Sequence, residues 1–394
     1  MIYSIVLILL LFLSFHYDIK GKTKNRDKWY VIVLIIFILL AGLRYRLGID
    51  THRYLYYFYH DFPSIDQFSL EDLQIGEDPL YVLLNSIVHS LGGRFYMVQL
   101  IQATFVNVLV MSYFKKHCDY IFTCAFFYFS LSFVGLMMEI MRASFSIAIC
   151  LYANDYIMDK KWIKGYLLFF IATFFHAQTL VLCVLPLLFF LRFNKIGILF
   201  LIISYFGGIL LLQTLGDYVF LLEGSEKIES KVSGYVDSDI YGENTNNIGY
   251  YIVSLLPMIA YPLFSLWYCK RFSENDKLKV LEPFIMLGVM FVMVQASFII
   301  AYRYLDFFRI YFALFFAETF VCMIKKNVHF KLGMSYARSL SIFLPLLIIN
   351  VSSFFSYRYN PYSSVIDKTV VESRENKYKE LGIDLYYYPK PSEY

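Results

Sequence analysis

The sequence has few charges and lacks the familiar motifs of soluble catalysis. Charged residues make up 17% of the 394, against about 25% in soluble domains. There is no HExxH, Cys-x-x-Cys, P-loop or GxSxG motif, and the missing P-loop argues against ATP-driven transport. No basic run with interleaved aromatic residues suggests a nucleic-acid partner. The six cysteines lie in apolar segments or at their inner ends, so we predict no disulfide, no metal site and no cofactor.

The sequence is instead rich in apolar residues, which fall in blocks of the length of a membrane span. Hydrophobic residues make up 59% of the chain and aromatic residues 20%. The blocks run for roughly 16–22 residues, close to the length of a transmembrane helix. We therefore predict an all-α polytopic membrane protein with about 12 transmembrane helices. The candidate spans are 2–17, 29–43, 95–114, 119–136, 139–158, 163–175, 177–192, 196–215, 249–269, 280–301, 304–324 and 336–355.

Lysine and arginine are sorted to different ends of these blocks. The lysine-rich connections should face the cytoplasm, following the positive-inside rule. Successive inner connections must enclose an even number of spans, which places both termini outside. We predict one membrane domain over 1–355 with outside segments 44–94 and 217–248, and a tyrosine-rich extracytoplasmic tail over 356–394. The predicted inner connections are 18–28, 115–118, 159–164, 192–195, 270–279 and 325–338.

Two shorter features complete the predicted topology. The segment Pro79–Leu91 has 13 residues, about 20 Å as a helix, which is too short to cross the membrane. We predict a re-entrant or interfacial helix there, with Pro79 at its first position and Glu77 or Asp78 as its cap. Between the inner connections 159–164 and 192–195 the chain must cross the membrane twice. We therefore predict a tight hairpin there, with His176 at its outer turn.

Arginines at the outer ends of the spans are the strongest functional signal. Their position runs against the positive-inside rule, and the planar guanidinium suits bidentate contact with phosphate oxygens. We therefore expect an anionic, phosphate-bearing lipid substrate. The candidate general bases are His176, Asp50 and Asp306. The candidate substrate-binding residues are Arg44, Arg46, Arg53, Arg142, Arg303, Arg309 and Glu139.

Each candidate also has a plainer structural interpretation. The arginines near Asp50 can bind lipid headgroups or pair with nearby carboxylates. Glu139 and Arg142, three residues apart at a helix start, share a face and can form a local ion pair. His176 can be a capping or packing residue at its turn, and Asp306 can simply neutralise neighbouring arginines.

Several short motifs follow one another along the chain. The first motifs are Arg44-x-x-x-Gly48-x-Asp50-x-x-x-Tyr54, Glu77-Asp78-Pro79-Leu80-Tyr81 and Met141-Arg142. The later ones are Phe170-Ile171-Ala172-x-x-Phe175-His176, Arg303-Tyr304-x-x-Phe307 and Tyr359-Asn360-Pro361-Tyr362. In this order, the motifs resemble the EpsG/Wzy-type family of bacterial polysaccharide polymerases. After the arginine that matches Arg142 that family often has glutamine, where this chain has Ala143.

The resemblance implies a GT-C-like, metal-independent membrane glycosyltransferase in the bacterial inner membrane. Such an enzyme joins undecaprenyl-diphosphate-linked oligosaccharide units at the outer face, alongside membrane lipids, a flippase and chain-length regulator proteins. Under this hypothesis Arg44, Arg142 and Arg303 bind the diphosphate, and His176 or Asp50 is the base. The product is O-antigen, capsule or exopolysaccharide. The alternatives are an O-antigen ligase-like glycosyltransferase, a polysaccharide flippase or transporter, and a membrane acyltransferase.

Overall fold

The computed structural model describes residues 2–69, 78–218, 255–296, 301–326 and 331–380. In these ranges every regular element is a helix, and the only β-type pairing is an isolated antiparallel bridge between Arg44 and Ser364. The first helices in chain order are α1 (Ile2–Leu13), α2 (Arg26–Gly42), α3 (Ile49–His60), α4 (Pro79–Ser90), α5 (Phe95–His117), α6 (Ile121–Tyr128), α7 (Met141–Met158) and α8 (Trp162–Phe175). They are followed by α9 (Lys195–Tyr218), α10 (Leu256–Phe272), α11 (Asp276–Lys279), α12 (Glu282–Gln295), α13 (Tyr302–Leu305), α14 (Arg309–Lys326), α15 (Leu332–Ser352) and α16 (Glu372–Glu380).

Several turns depart from regular α-helix. Wider π-helical turns extend α1 and α6, and tighter 3₁₀ segments follow α8 and α15. The π-helical turns are Ser14–Ile19, Phe129–Phe133 and Gly135–Glu139, and the 3₁₀ segments are Ala177–Leu188 and Ser353–Phe355.

The described helices confirm a helical membrane protein, and each candidate span coincides at least in part with a helical segment. Within the described ranges, three helices are both long and apolar enough to cross a bilayer: Ile2–Ile19, Phe95–His117 and Leu332–Phe355. The total of 12 spans and the GT-C-like fold stay predictions. The predicted loop 217–248 lies almost wholly outside the described residues.

The chain divides into two compact units. The first contains Met1–Pro186 together with Asn350–Tyr394, and the second contains Leu187–Ile349. The single domain predicted over 1–355 stays a prediction. Residues 356–380 belong to the first unit.

Close helix packing in the first unit depends on small residues. Helix α7 packs on α8, and α2 packs on α5. A Cβ atom on Gly42 would lie 2.9 Å from the Cα of Leu100 on α5, and one on Gly165 would lie 3.0 Å from the carbonyl oxygen of Ala153. Small residues that let helix backbones approach are typical of packing inside a membrane.

Two buried carboxylates hold the lysine-rich end of the first unit together. Asp18 accepts hydrogen bonds from the backbone N–H of Thr123 at 2.7 Å and from its hydroxyl at 2.9 Å. Asp155 accepts from Lys116 at 2.6 Å and lies 2.9 Å from the Nε2 atom of His117. Burying a carboxylate is costly unless it is paired, and both are paired here. This end coincides with the predicted inner connections.

The C-terminal segment 356–380 packs onto the loop between α2 and α3. The backbone N–H of Tyr45 donates to the carbonyl of Ser363 at 2.9 Å, and that of Val365 donates to Leu43 at 2.9 Å. Arg374 is 1% exposed and donates to the carbonyl of Tyr357 at 2.8 Å. The predicted tail is therefore, as far as residue 380, packed structure of the first unit.

In the second unit, α9 packs on α12, and α10 packs on α14. Glu318 on α14 is buried, which is expensive within an apolar helix unless its oxygens are satisfied. Ser273 donates to one carboxylate oxygen at 2.6 Å, and Asn275 donates to the other at 3.4 Å. Through these hydrogen bonds, Glu318 on α14 holds the segment that follows α10.

Candidate functional site

One carboxylate joins three separate segments of the first unit. The Oδ2 atom of Asp78 lies 3.1 Å from the Nη1 atom of Arg142 and 3.3 Å from the Nδ1 atom of His176. Its Oδ1 atom accepts the backbone N–H of Ala177 at 2.8 Å. We define this group, Asp78, Arg142 and His176, as the outer polar cluster, a name that follows the predicted topology. It brings together two sequence-predicted residues and one that was not predicted to be functional.

The local geometry at the start of α4 directs the Asp78 side chain away from its own helix. The helix begins at Pro79, as predicted, and the Asp78 carbonyl accepts the backbone N–H groups of Tyr81 and Val82. The predicted capping bond from the Asp78 side chain is not made. The extended backbone of this residue, at φ −72° and ψ 130°, turns the carboxylate toward α7 and the turn after α8.

Arg142 lies in the first turn of α7 and is held from two sides. Its Nε atom donates to the hydroxyl of Tyr54 at 3.3 Å, and its guanidinium carbon lies 5.5 Å from the centre of that ring. Asp78 supplies the counter-charge at 3.1 Å. The Arg142 side chain is still 19% exposed, so an external anion can reach it.

His176 lies at the break between α8 and the following 3₁₀ segment, where the sequence predicts a hairpin turn. Its backbone is extended, at φ −159° and ψ 108°, and α8 ends there. Its Nε2 atom lies 3.2 Å from the amide oxygen of Gln178, and its side chain is 17% exposed. An imidazole placed between a carboxylate and an amide has a defined orientation and keeps access to solvent.

The loop between α2 and α3 carries Arg44, which is fully buried. Its Nη1 atom donates to the carbonyl of Ala41 at 2.5 Å. Its Nε and Nη2 atoms have no hydrogen-bond partner among the described residues. Burial lowers the pKa of Arg44 to about 10, so the side chain is still charged at neutral pH. The guanidinium lies inside the packed unit, beneath the C-terminal segment.

Arg46 is held by an ion pair with the same C-terminal segment. Its Nη2 atom lies 2.7 Å from a carboxylate oxygen of Glu375, and the two side chains are 9% and 12% exposed. Its neighbour His52 packs edge-on against Tyr378, with ring centres 4.6 Å apart. Sequence reasoning missed Glu375 and Tyr378, because more than 300 residues separate them from the loop and no local pattern links the two.

Glu139 and Asp50 meet at the start of α3. Glu139 accepts the backbone N–H of Asp50 at 3.2 Å and the hydroxyl of Tyr359 at 2.5 Å. The prediction that Glu139 and Arg142 start one helix together is wrong, because Ile140, at φ −98° and ψ 57°, separates the π-helical turn from α7. Glu139 thus caps α3, and Arg142 bonds to Asp78.

Arg53 lies on α3 and is exposed. Its Nε atom donates to the hydroxyl of Tyr57 at 2.5 Å, one helical turn further along, and its guanidinium lies 5.2 Å from the centre of that ring. This contact holds the side chain along the surface of α3. Among the three predicted arginines of this segment, only Arg53 is exposed.

Arg303, Asp306 and Arg309 lie in the second unit, near the start of α14. Asp306 pairs with Arg309 at 3.1 Å, in agreement with the interpretation that this carboxylate neutralises an arginine. The guanidinium of Arg303 lies 6.0 Å from the centre of the Tyr302 ring. Their roles as substrate ligand or base stay predictions.

The outer polar cluster combines a cation, an imidazole and a carboxylate in hydrogen-bond contact. This set can bind an anion and transfer a proton without a metal. In the part of the chain that the structure describes, no group of three histidine, cysteine or carboxylate side chains is arranged to hold a metal ion.

The model of the EpsG family matches residues 27–364, which is most of the chain. The chain belongs to the EpsG family. No curated protein and no solved structure matches it. Membership of the EpsG family suggests a membrane-embedded, glycosyltransferase-like protein of the polysaccharide polymerase type. The matched range includes the outer polar cluster and ends before Arg374 and Glu375.

The signal for Asp78 was present in the sequence but pointed to a different role. Asp78 stands in the motif Asp78-Pro79-Leu80-Tyr81 that the resemblance uses, yet its position before Pro79 suggested only a helix cap. Glu77, the other proposed cap, lies outside the described residues. Only the folded chain shows that Asp78 reaches Arg142 and His176, 64 and 98 residues away.

Proposed function

We propose that this EpsG family protein is a polysaccharide polymerase. It joins undecaprenyl-diphosphate-linked oligosaccharide repeat units at the outer face of the bacterial inner membrane. The observation that carries this proposal is the contact of a partly exposed guanidinium and a partly exposed imidazole with the same carboxylate. Family membership supports the polymerase class.

In the proposed reaction, Arg142 acts on the leaving diphosphate and His176 acts on the acceptor hydroxyl. The bond between the anomeric carbon and the diphosphate oxygen breaks, and negative charge develops on the leaving diphosphate. Arg142 stabilises that charge, and its effect is largest where little water competes. The acceptor hydroxyl forms the new glycosidic bond, and its proton moves to the Nε2 atom of His176.

The other arginines take different parts in this proposal. Arg44 is buried and Arg46 is paired with Glu375, so both stabilise the loop between α2 and α3. Their positive charges also add to the electrostatic potential near that loop. Arg53 is exposed and is proposed as a second phosphate ligand. The role of Arg303, in the second unit, as a phosphate ligand stays a prediction.

The first test replaces Arg142 with lysine, which keeps the charge but loses the planar fork. Purified protein in proteoliposomes, supplied with lipid-linked repeat units, should lose on the order of 10²–10³-fold in polymerisation rate. His176→Gln should cause a similar loss. The matched control is Arg94→Lys, an exposed arginine at the start of α5, which should polymerise at the normal rate. Normal chain length and yield from both Arg142→Lys and His176→Gln would show that the proposal is wrong.

The same assay separates polymerase from the other function classes. A polymerase makes long chains that stay on undecaprenyl diphosphate and needs no ion gradient. A ligase instead transfers a finished chain to a different lipid acceptor. A flippase or transporter moves the lipid-linked unit without forming a glycosidic bond.

A further inference from the structure

We infer that Asp78 is the positioning residue of this site, one that selects the tautomer of His176 and fixes the direction of Arg142. The inference rests on the proposed function, because it explains how the base and the phosphate ligand of that reaction are held. Asp78 is 8% exposed, so water competes little for its oxygens. Its carboxylate contacts both functional side chains.

The two carboxylate oxygens of Asp78 contact different groups, so they fix both the turn after α8 and the side chain of His176. Oδ1 holds the backbone of Ala177, which directly follows His176. Oδ2 holds the imidazole itself at 3.3 Å and the guanidinium at 3.1 Å. The imidazole is therefore constrained through its own ring nitrogen and through the adjacent peptide. A residue that served only as a helix cap would bond to its own helix, and Asp78 does not.

The charge of Asp78 determines which nitrogen of His176 carries the proton. An ionised carboxylate can only accept hydrogen bonds, so the Nδ1 atom facing it must be protonated. In the neutral imidazole, the Nε2 atom then keeps its lone pair. That is the atom that must take the proton of an acceptor hydroxyl.

Gln178 occupies the position beside this reactive nitrogen. Its amide oxygen lies 3.2 Å from the Nε2 atom, and a half-turn of the amide group would instead place its NH₂ beside the lone pair. A sugar hydroxyl that displaces this amide would meet Nε2 at hydrogen-bond distance. Gln178 therefore stands in for the acceptor hydroxyl when no substrate is bound.

Asp78 also sets the direction in which Arg142 points. A guanidinium has five N–H donors in a fixed plane. Bonds to Asp78 at Nη1 and to Tyr54 at Nε fix the orientation of that plane. A preoriented fork binds a phosphate with less loss of side-chain entropy than a freely rotating one.

The test compares Asp78→Asn with Asp78→Glu in the full-length protein. Asparagine keeps the size of the side chain, but its NH₂ group can donate to Nδ1 and so favours the Nε2–H tautomer. We expect Asp78→Asn to lower kcat about 10²-fold or more, since a wrong tautomer disables a general base. Asp78→Glu keeps a carboxylate acceptor, and its kcat should be at least tenfold higher than that of Asp78→Asn. The matched control is Asp66→Asn, an exposed carboxylate in the same unit, which should leave kcat and KM unchanged.

A spectroscopic measurement separates positioning from simple structural support. In protein labelled with ¹⁵N-histidine, the His176 signals are assigned by their loss in His176→Gln. The wild type should show protonated Nδ1 and unprotonated Nε2, and Asp78→Asn should shift the population toward protonated Nε2. If Asp78→Asn does not fold, Asp78→Glu carries the test, with the Nδ1–H tautomer expected to persist. An unchanged tautomer with unchanged kcat in Asp78→Asn, or an Nε2–H tautomer in Asp78→Glu, would overturn the inference.

The failure of this inference differs from the failure of the proposed function. If Asp78→Asn retains normal kcat while Arg142→Lys and His176→Gln lose activity, the positioning role is wrong and the polymerase site stands. If Arg142→Lys and His176→Gln are also fully active, the site itself is wrongly assigned.

Discussion

Replacing Gly48 with alanine should damage this protein far more than the same change at another glycine of positive φ. Gly48 immediately precedes α3 and has φ +87° and ψ 142°, a conformation that is essentially restricted to glycine. A Cβ atom there would lie 2.3 Å from the carbonyl oxygen of Met138. The glycine therefore allows a close approach between two segments of protein backbone.

The geometry allows a rough magnitude for this substitution. A carbon–oxygen contact normally lies at roughly 3.3 Å, so the two backbone segments would have to separate by about 1 Å. The unfavourable φ alone costs on the order of 1–3 kcal/mol, and the clash adds to it. We expect a loss of at least about 3 kcal/mol in the free energy of unfolding. Because a 1 Å misplacement of a reacting group can cost about 10²-fold, a shift of α3 and Tyr54 should also reduce polymerisation strongly.

The matched control is Gly92→Ala. Gly92 has φ +66°, and nothing lies within 4 Å of a Cβ placed there. Only the left-handed backbone cost remains, about 1–2 kcal/mol. Thermal unfolding in one detergent, together with polymer yield in proteoliposomes, compares the two variants. Equal melting temperatures and equal yields for Gly48→Ala and Gly92→Ala would refute the steric argument.

Two further predictions concern the contacts between the α2–α3 loop and the C-terminal segment. A double-mutant cycle on Arg46 and Glu375 should show that either alanine variant alone costs about 3 kcal/mol, because it leaves a charge buried without its partner. The same cycle on the exposed pair Lys377 and Glu380 should show no measurable coupling, and similar couplings for both pairs would contradict this. Burial and the nearby Arg46 hold the pKa of His52 well below its usual value, so the unfolded chain binds a proton that the folded chain does not. The contribution of His52 to stability is present above about pH 6.5 and falls as the pH drops below that value. In melting temperatures measured over a pH series, His52→Gln should reduce the loss of stability in acid. An unchanged dependence of melting temperature on pH would exclude this role for His52.

Much of the helical framework could be predicted from the sequence, because it depends on local order. The signals used were apolar blocks of span length, lysine-rich connections and Pro79 at a helix start. Each of them depends only on residues that are neighbours in the sequence. The break at His176 was predicted for the same reason, since one straight helix through it would have been too long. Helix α3 and the short helix α16 were not predicted, because their mixed polar and aromatic composition gives a weak periodic signal.

The sequence by itself determined which residue types stand at the ends of the helices, and so predicted a phosphate-binding site with an arginine and a histidine. Tertiary structure decided how those residues are used. It covers Arg44 and pairs Arg46 through the C-terminal segment, places Glu139 on α3, and brings Asp78 to Arg142 and His176. These contacts join residues 64 to 329 positions apart. Their existence depends on how whole helices pack against one another, which no local pattern encodes.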